Sequence, residues 1–417
     1  MKQSVTQERV EFTKAMKGEY TILAPDIFPM HMKLLEKVFA LYGYKLDVLH
    51  YQGKKVIDTG LRYVHNDMCY PAICSIGQQL YALQCGDYDP HKVALIQFQT
   101  GGGCRASNYI KLLRKALNNM GMGYVPVISL SFSGMEKNSG FKLTPTMLYK
   151  GVMSVVYGDM LMLLRNQIKP YEVNAGETED KVNKWVDILI GQFEHNKGLV
   201  GKGIMRNLRA IAEDFYNIER VSDIKTRVGI VGEIYVKYSP FGNNNLEKFL
   251  ESQDCEVMVP GVLGFVQYCF HNVSMDYKLY GMNRYSRHVN RFAEKQAAKM
   301  EKRVISVLKE YPDLICPSTF EELTSLGDKV IDRGVKMGEG WLLPAEMVEL
   351  IEKGFNNIVC AQPFGCLPNH IVGKGVIRTL KDLYPYSNVC PIDYDAGATK
   401  VNQENRIKLM LAVAREQ

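Results

Sequence analysis

Apolar residues along this chain fall into two spacings. Short runs rich in Val, Ile and Leu (YTILAPDI, KLDVLHY, VALIQFQT and VPVISLS) alternate with longer amphipathic stretches such as HMKLLEKVFALYG. Strand-length apolar runs separated by helices of about a dozen residues or more predict parallel strands in a doubly wound α/β sheet, here over residues 1–140. From 141 to 222 the strand runs stop. Three helical stretches, TPTMLYKGVMSVVYGDMLMLLRNQI, TEDKVNKWVDILIGQFEHN and KGIMRNLRAIAEDFYNIER, predict a helical insert or connector. RVGIVGEIYV, EVMVPGV, NIVCAQPF and NVCPIDYD then restore the alternation, giving a second sheet domain over 223–417. The two halves form an architectural pair without a residue-level repeat.

One long helix, 283–311, places Tyr285, Val289, Phe292, Met300, Val304, Val307 and Tyr311 close to helical spacing, a stripe that predicts core packing. Its other face carries Arg284, Arg287, Arg291, Lys295, Lys299, Lys302 and Arg303. That face suits an acidic partner or a polyphosphate, or is a solvated surface.

Composition changes this picture little. The chain has 417 residues, 46% hydrophobic and 23% charged, so it is long enough for two or three well-buried domains. A net charge of +6 without a basic tail argues against nucleic acid as a partner. The start of the chain lacks an apolar run of signal-peptide type, and no stretch elsewhere is expected to reach the length of a membrane span, so the expected setting is cytoplasmic, without a membrane. Thiols stay reduced there, which turns the ten cysteines toward metal binding, catalysis or burial.

In QFQTGGGCRASNY, residues 97–109, Gly101, Gly102 and Gly103 lead into Cys104 and Arg105. The run ends without the Lys-Ser/Thr of a P-loop and lacks the G-x-G-x-x-G spacing of a dinucleotide site, so neither phosphate motif is present. Open α/β sheets bind ligands past the carboxyl ends of their strands. Cys69 and Cys74 in NDMCYPAIC, Cys104, Cys360 in NIVCAQP and Cys366 in PFGCLPNH are placed at or near such ends, whereas Cys390 falls inside a strand. Cys85, Cys255, Cys269 and Cys316 read as core or surface thiols. No C-x-x-C pair occurs, which excludes the usual zinc modules and ferredoxin runs. What remains is a site of single cysteines on separate loops. MCYPA, GGGCR and PFGCLP each set Pro or Gly beside the thiol, leaving room for metal sulfides, and helix N-termini and backbone N–H groups there favour thiolate and an anionic cluster.

With NDMCYPA, QTGGGCRASNY, VVYGDMLMLL, RVGIVGEIYVKYSPFGNNNLEKFL, CAQPFGCLPNHI and IDYDAGATKVNQENRI in order along most of its length, the sequence resembles the iron–sulfur proteins related to 2-hydroxyacyl-CoA dehydratase subunits, in the branch labelled acyl-CoA dehydratase activase-related. The resemblance implies two flavodoxin-like domains with a helical portion and a 4Fe–4S or double-cubane 8Fe–9S iron–sulfur cluster held between the domains by three cysteines. Cys69 and Cys104 match the first two ligands; Cys366 best matches the third, with Cys360 its rival. It also implies an ATP-hydrolysing activator protein carrying its own iron–sulfur cluster as partner, and a homo- or heterodimer. No actin-like phosphate loop is visible, so this chain corresponds to the electron acceptor. No residue set that would hold CoA is identifiable. Three readings follow: an electron-accepting iron–sulfur oxidoreductase component, a radical 2-hydroxyacyl-CoA dehydratase component, and a non-catalytic scaffold subunit. Glu233, after the first strand of the second sheet domain, is a candidate acid or base and equally a helix cap or loop-bonding group. Asp159 reads as a structural partner in the helical part.

Overall fold

The computed structural model describes residues 9–65, 67–100, 103–131, 136–282 and 286–416. Packing divides the chain into two units, Met1–Ile27 with Leu35–Leu148, and Phe28–Leu34 with Tyr149–Gln417. The sheet of the first unit is built from β1 (Thr21–Pro25), β2 (Lys45–Leu49), β3 (Val93–Gln99) and β4 (Val127–Ser131). The helices between them are α1 (Pro29–Leu41), α2 (Lys54–Tyr63), α3 (Tyr70–Gln84) and α4 (Tyr109–Asn119). All pairings are parallel, in the order β2-β1-β3-β4. This is the flavodoxin-like order, and right-handed crossovers in it put helices on both faces. Burial on both faces explains why the strands read as continuous apolar runs: Val93 to Ile96 of β3 are all buried.

In the second unit α5 (Pro145–Ile168), α6 (Glu177–Glu194) and α7 (Gly201–Tyr216) precede β5 (Thr226–Gly232), α8 (Ile234–Tyr238), α9 (Leu246–Ser252) and β6 (Cys255–Met258). There follow α10 (Val262–Tyr280), α11 (Ser286–Leu308), α12 (Phe320–Gly327), α13 (Leu342–Glu352) and β7 (Asn357–Pro363). The chain continues with α14 (Leu367–Asn369), α15 (Ile377–Leu383), β8 (Asn388–Tyr394) and α16 (Lys400–Glu416). The order β6-β5-β7-β8, again all parallel, repeats that of the first sheet. The three helices read from the sequence as a connector pack as part of this unit. Local signals agree with the elements: Glu177, Glu179 and Asp180 oppose the dipole of α6, and Thr319 and Glu322 form a reciprocal cap on α12.

Two expectations are corrected. Among the described residues one helix, Pro145–Tyr171, is long and apolar enough to cross a membrane, but most of it is buried inside the fold. Its apolarity comes from serving as a core helix, with Tyr157, Met160, Leu161 and Leu164 fully enclosed. On α11, Met300, Val304 and Val307 are buried as the stripe requires, yet Val289 and Phe292 are 72% and 66% exposed. Periodicity shows which side chains share a face, not whether another element covers it. Arg284 and Tyr285 lie outside the described residues, as does the side chain of Arg287.

Candidate functional site

In an order of this kind the chain leaves neighbouring strands in opposite directions, and the carboxyl ends of those strands flank an open crevice. In the first sheet the strands are β1 and β3. Helices run back antiparallel to the strands, so the N-termini of α3 and α4 lie at the carboxyl edge. Cys69 is the N-cap of α3, in extended backbone (φ −64°, ψ 147°), with Pro71 in the first turn where its missing N–H costs nothing. Cys104 is likewise extended (φ −84°, ψ 146°) and caps the 3₁₀ turn Arg105–Asn108 that runs into α4. Neither helix end has a side-chain cap bond.

The structure brings these two loops together. The Tyr109 hydroxyl lies 2.9 Å from the Cys69 sulfur, and the Arg105 guanidinium donates to the Asp67 carbonyl. Beneath them α3 is bolted to the sheet by buried amides: Gln79 donates to the carbonyls of Leu23 and Ile96 at 3.2 and 2.8 Å, and Gln78 to that of Tyr51 at 2.9 Å. Cys69 is reached through α2 and not directly from a strand. Gly103 is exposed; Gly101 and Gly102 lie outside the described residues.

The corresponding crevice of the second sheet lies between β5 and β7. β5 ends at Gly232, whose φ of +152° and close approach to the Ala361 carbonyl leave no room for a Cβ. Glu233 then caps α8, its carboxylate accepting from the N–H groups of Tyr235 and Val236 at 3.0 and 2.9 Å. Of the roles open to it, capping is thus the one that the bonds fill. Glu339 accepts from the N–H of Ile234 at 3.0 Å and from the Asn369 amide at 2.7 Å. The same amide stands 3.5 Å from the sulfur of Cys366, the N-cap of α14. Burial, reinforced by Glu339, pushes Glu233 up to about 8, and burial raises Glu339 as well. The Cys366 thiol is raised by burial and by both carboxyls. A thiolate here needs a cation beside it.

Cys360 sits inside β7, fully buried, in register between Val231 and Pro391. It is a core residue by position, whereas Cys366 lies on the loop beyond the strand. Cys74, also fully buried, is an interior residue of α3. Asp159 is a structural partner: it accepts from the N–H groups of Val262 and Leu263 at the start of α10, both at 2.8 Å, and pairs with His31 at 2.8 Å.

Sequence reading missed Tyr109, Glu339 and Asn369. Glu339 stands between Gly338 and Gly340, both at positive φ, and an acid flanked by such glycines was a usable signal. Among the described residues no three His, Cys, Asp or Glu side chains are gathered as a metal-binding group. Comparison of the chain with protein-family models finds no match, and comparison with curated proteins finds none.

Proposed function

We propose that this chain is a cytoplasmic iron–sulfur protein that accepts low-potential electrons from an ATP-hydrolysing activator and passes them to a substrate that is difficult to reduce. The observation that supports this reading most is the pairing of the Cys69 and Cys104 loops, fixed to each other through Tyr109 and Arg105. Thiolates are the ligands that such a protein offers an iron–sulfur cluster. Cys69, Cys104 and Cys366 would hold it, each at the N-cap of a turn or helix. First-turn N–H groups in such places favour thiolate. When bound, the cluster supplies a one-electron path that no side chain offers.

The chain's own groups have separate tasks. Tyr109 is placed to donate a hydrogen bond to the Cys69 sulfur. The Asn369 amide, shared between Glu339 and Cys366, holds the third loop against α8. Burial raises Glu233, so its carboxyl beside Cys366 favours the protonated form more than an ordinary glutamate does.

Iron and sulfide analysis of anaerobically purified protein tests the proposal. Brown protein is expected, with about four irons per chain for a single cubane or about eight for a double one. Cys69→Ser, Cys104→Ser and Cys366→Ser should each lower iron content, while Cys255→Ser and Cys316→Ser should not. Equal loss from both groups, or colourless protein with stoichiometric zinc, would refute the assignment.

A further inference from the structure

The second unit has a partly open cavity of about 120 Å³ among α5, α10, α11 and α13. Met162, Leu163, Leu263, Val304, Ile305 and Phe320 supply much of its wall. By comparison with engineered apolar cavities that admit benzene, this space suits a molecule of roughly five heavy atoms.

Four carboxylates and one amide interrupt the apolar lining. Two of the carboxylates are committed elsewhere: Asp159 to the start of α10, and Glu346 to Lys237 through bonds of 2.9 and 3.0 Å. Glu301 accepts from the N–H of Phe320 at 3.0 Å and from the side chain of Gln267, and it lies near Glu349, which accepts from the N–H of Ser318. The Gln267 side chain is 3% exposed, and its Oε1 is buried without a partner. A buried acceptor without a donor is costly, so this oxygen calls for one. One cation, Lys353, also lines the cavity and lies near Glu349.

We propose that this cavity binds a short-chain primary aliphatic amine, its ammonium donating to Gln267 Oε1, Glu301 and Glu349 and its alkyl chain lying against Leu263, Val304 and Ile305. An ammonium carries three donors and no acceptor, which matches three neighbouring acceptors in a largely apolar lining. Burial pushes Glu301 up to about 7, with Glu349 adding to the rise, and a bound cation relieves both carboxyls of that cost. The site is independent of the iron–sulfur reading.

The test is calorimetric titration of the full chain with n-butylamine and, as neutral isostere, n-butanol, with no readout that depends on iron. Gly264 lines the cavity, and a Cβ there meets no atom within 4 Å, so Gly264→Leu fills the space while improving the helix. Saturable binding of n-butylamine is expected, abolished in Gly264→Leu and weakened about tenfold in Glu301→Gln and Gln267→Leu. n-Butanol should bind at least about tenfold more weakly. Equal binding of alcohol and amine would overturn the ammonium assignment. Binding that survives Gly264→Leu, with folding verified by circular dichroism, would place the amine elsewhere. No saturable binding below about 10 mM would mean a water-filled cavity and would also overturn the proposal.

Discussion

Lys237 and Glu346 form an ion pair with side chains 2% and 3% exposed, joined by two bonds. Their attraction is set against the cost of taking both charges out of water, so removing one partner is worse than removing both. Lys237→Met should lower unfolding free energy by about 3–5 kcal/mol, and Lys237→Met with Glu346→Met should recover most of that loss. Urea denaturation of the three proteins checks this; a double variant as unstable as the single one would show that the pair does more than neutralise itself. In the sequence Lys237 looks like any lysine at the end of an apolar run, because its partner lies 109 positions away. The same separation hid Glu339, 105 positions from the N–H it receives. As cap positions Cys69, Cys104, Cys366 and Glu233 were legible, since each is marked by its own flanking Pro, Gly or strand end.

Among elements, the eight strands of the described residues were legible, most plainly β3 and β7, whose burial on both faces leaves long apolar runs. The exposed half of α11 was not, since spacing carries no record of what lies opposite. At the end of β5 the backbone of Gly232 occupies a region that side chains avoid, and a Cβ would overlap the Ala361 carbonyl. Gly232→Ala should therefore destabilise the second sheet by at least about 1–3 kcal/mol from backbone conformation alone. Thermal unfolding measures it; an unchanged midpoint would mean that the strand end relaxes freely.

For the whole molecule, the proposed function predicts a division of labour. The sequence offers neither a Walker loop nor an actin-like phosphate loop, so the isolated chain should not hydrolyse ATP, while reduction of its cluster should need ATP once an activator is present. Arg291, Lys295 and Lys299 are exposed on α11, and such a basic face speeds encounter with an acidic partner. Arg291→Glu with Lys295→Glu should slow ATP-dependent reduction and weaken its salt dependence without changing iron content. Stopped-flow absorbance at two ionic strengths checks this, and unchanged kinetics would remove α11 from docking.

The division of the chain has a consequence for synthesis. Phe28–Leu34 packs with the second unit although the ribosome makes it within the first, and His31 is separated from Asp159 by 128 positions. At about 5–20 residues per second, Asp159 is added roughly 6–25 s after His31. For that interval the first turns of α1 exist without the packing that later encloses them. The nascent chain therefore carries an unfinished apolar segment that a ribosome-bound chaperone would find.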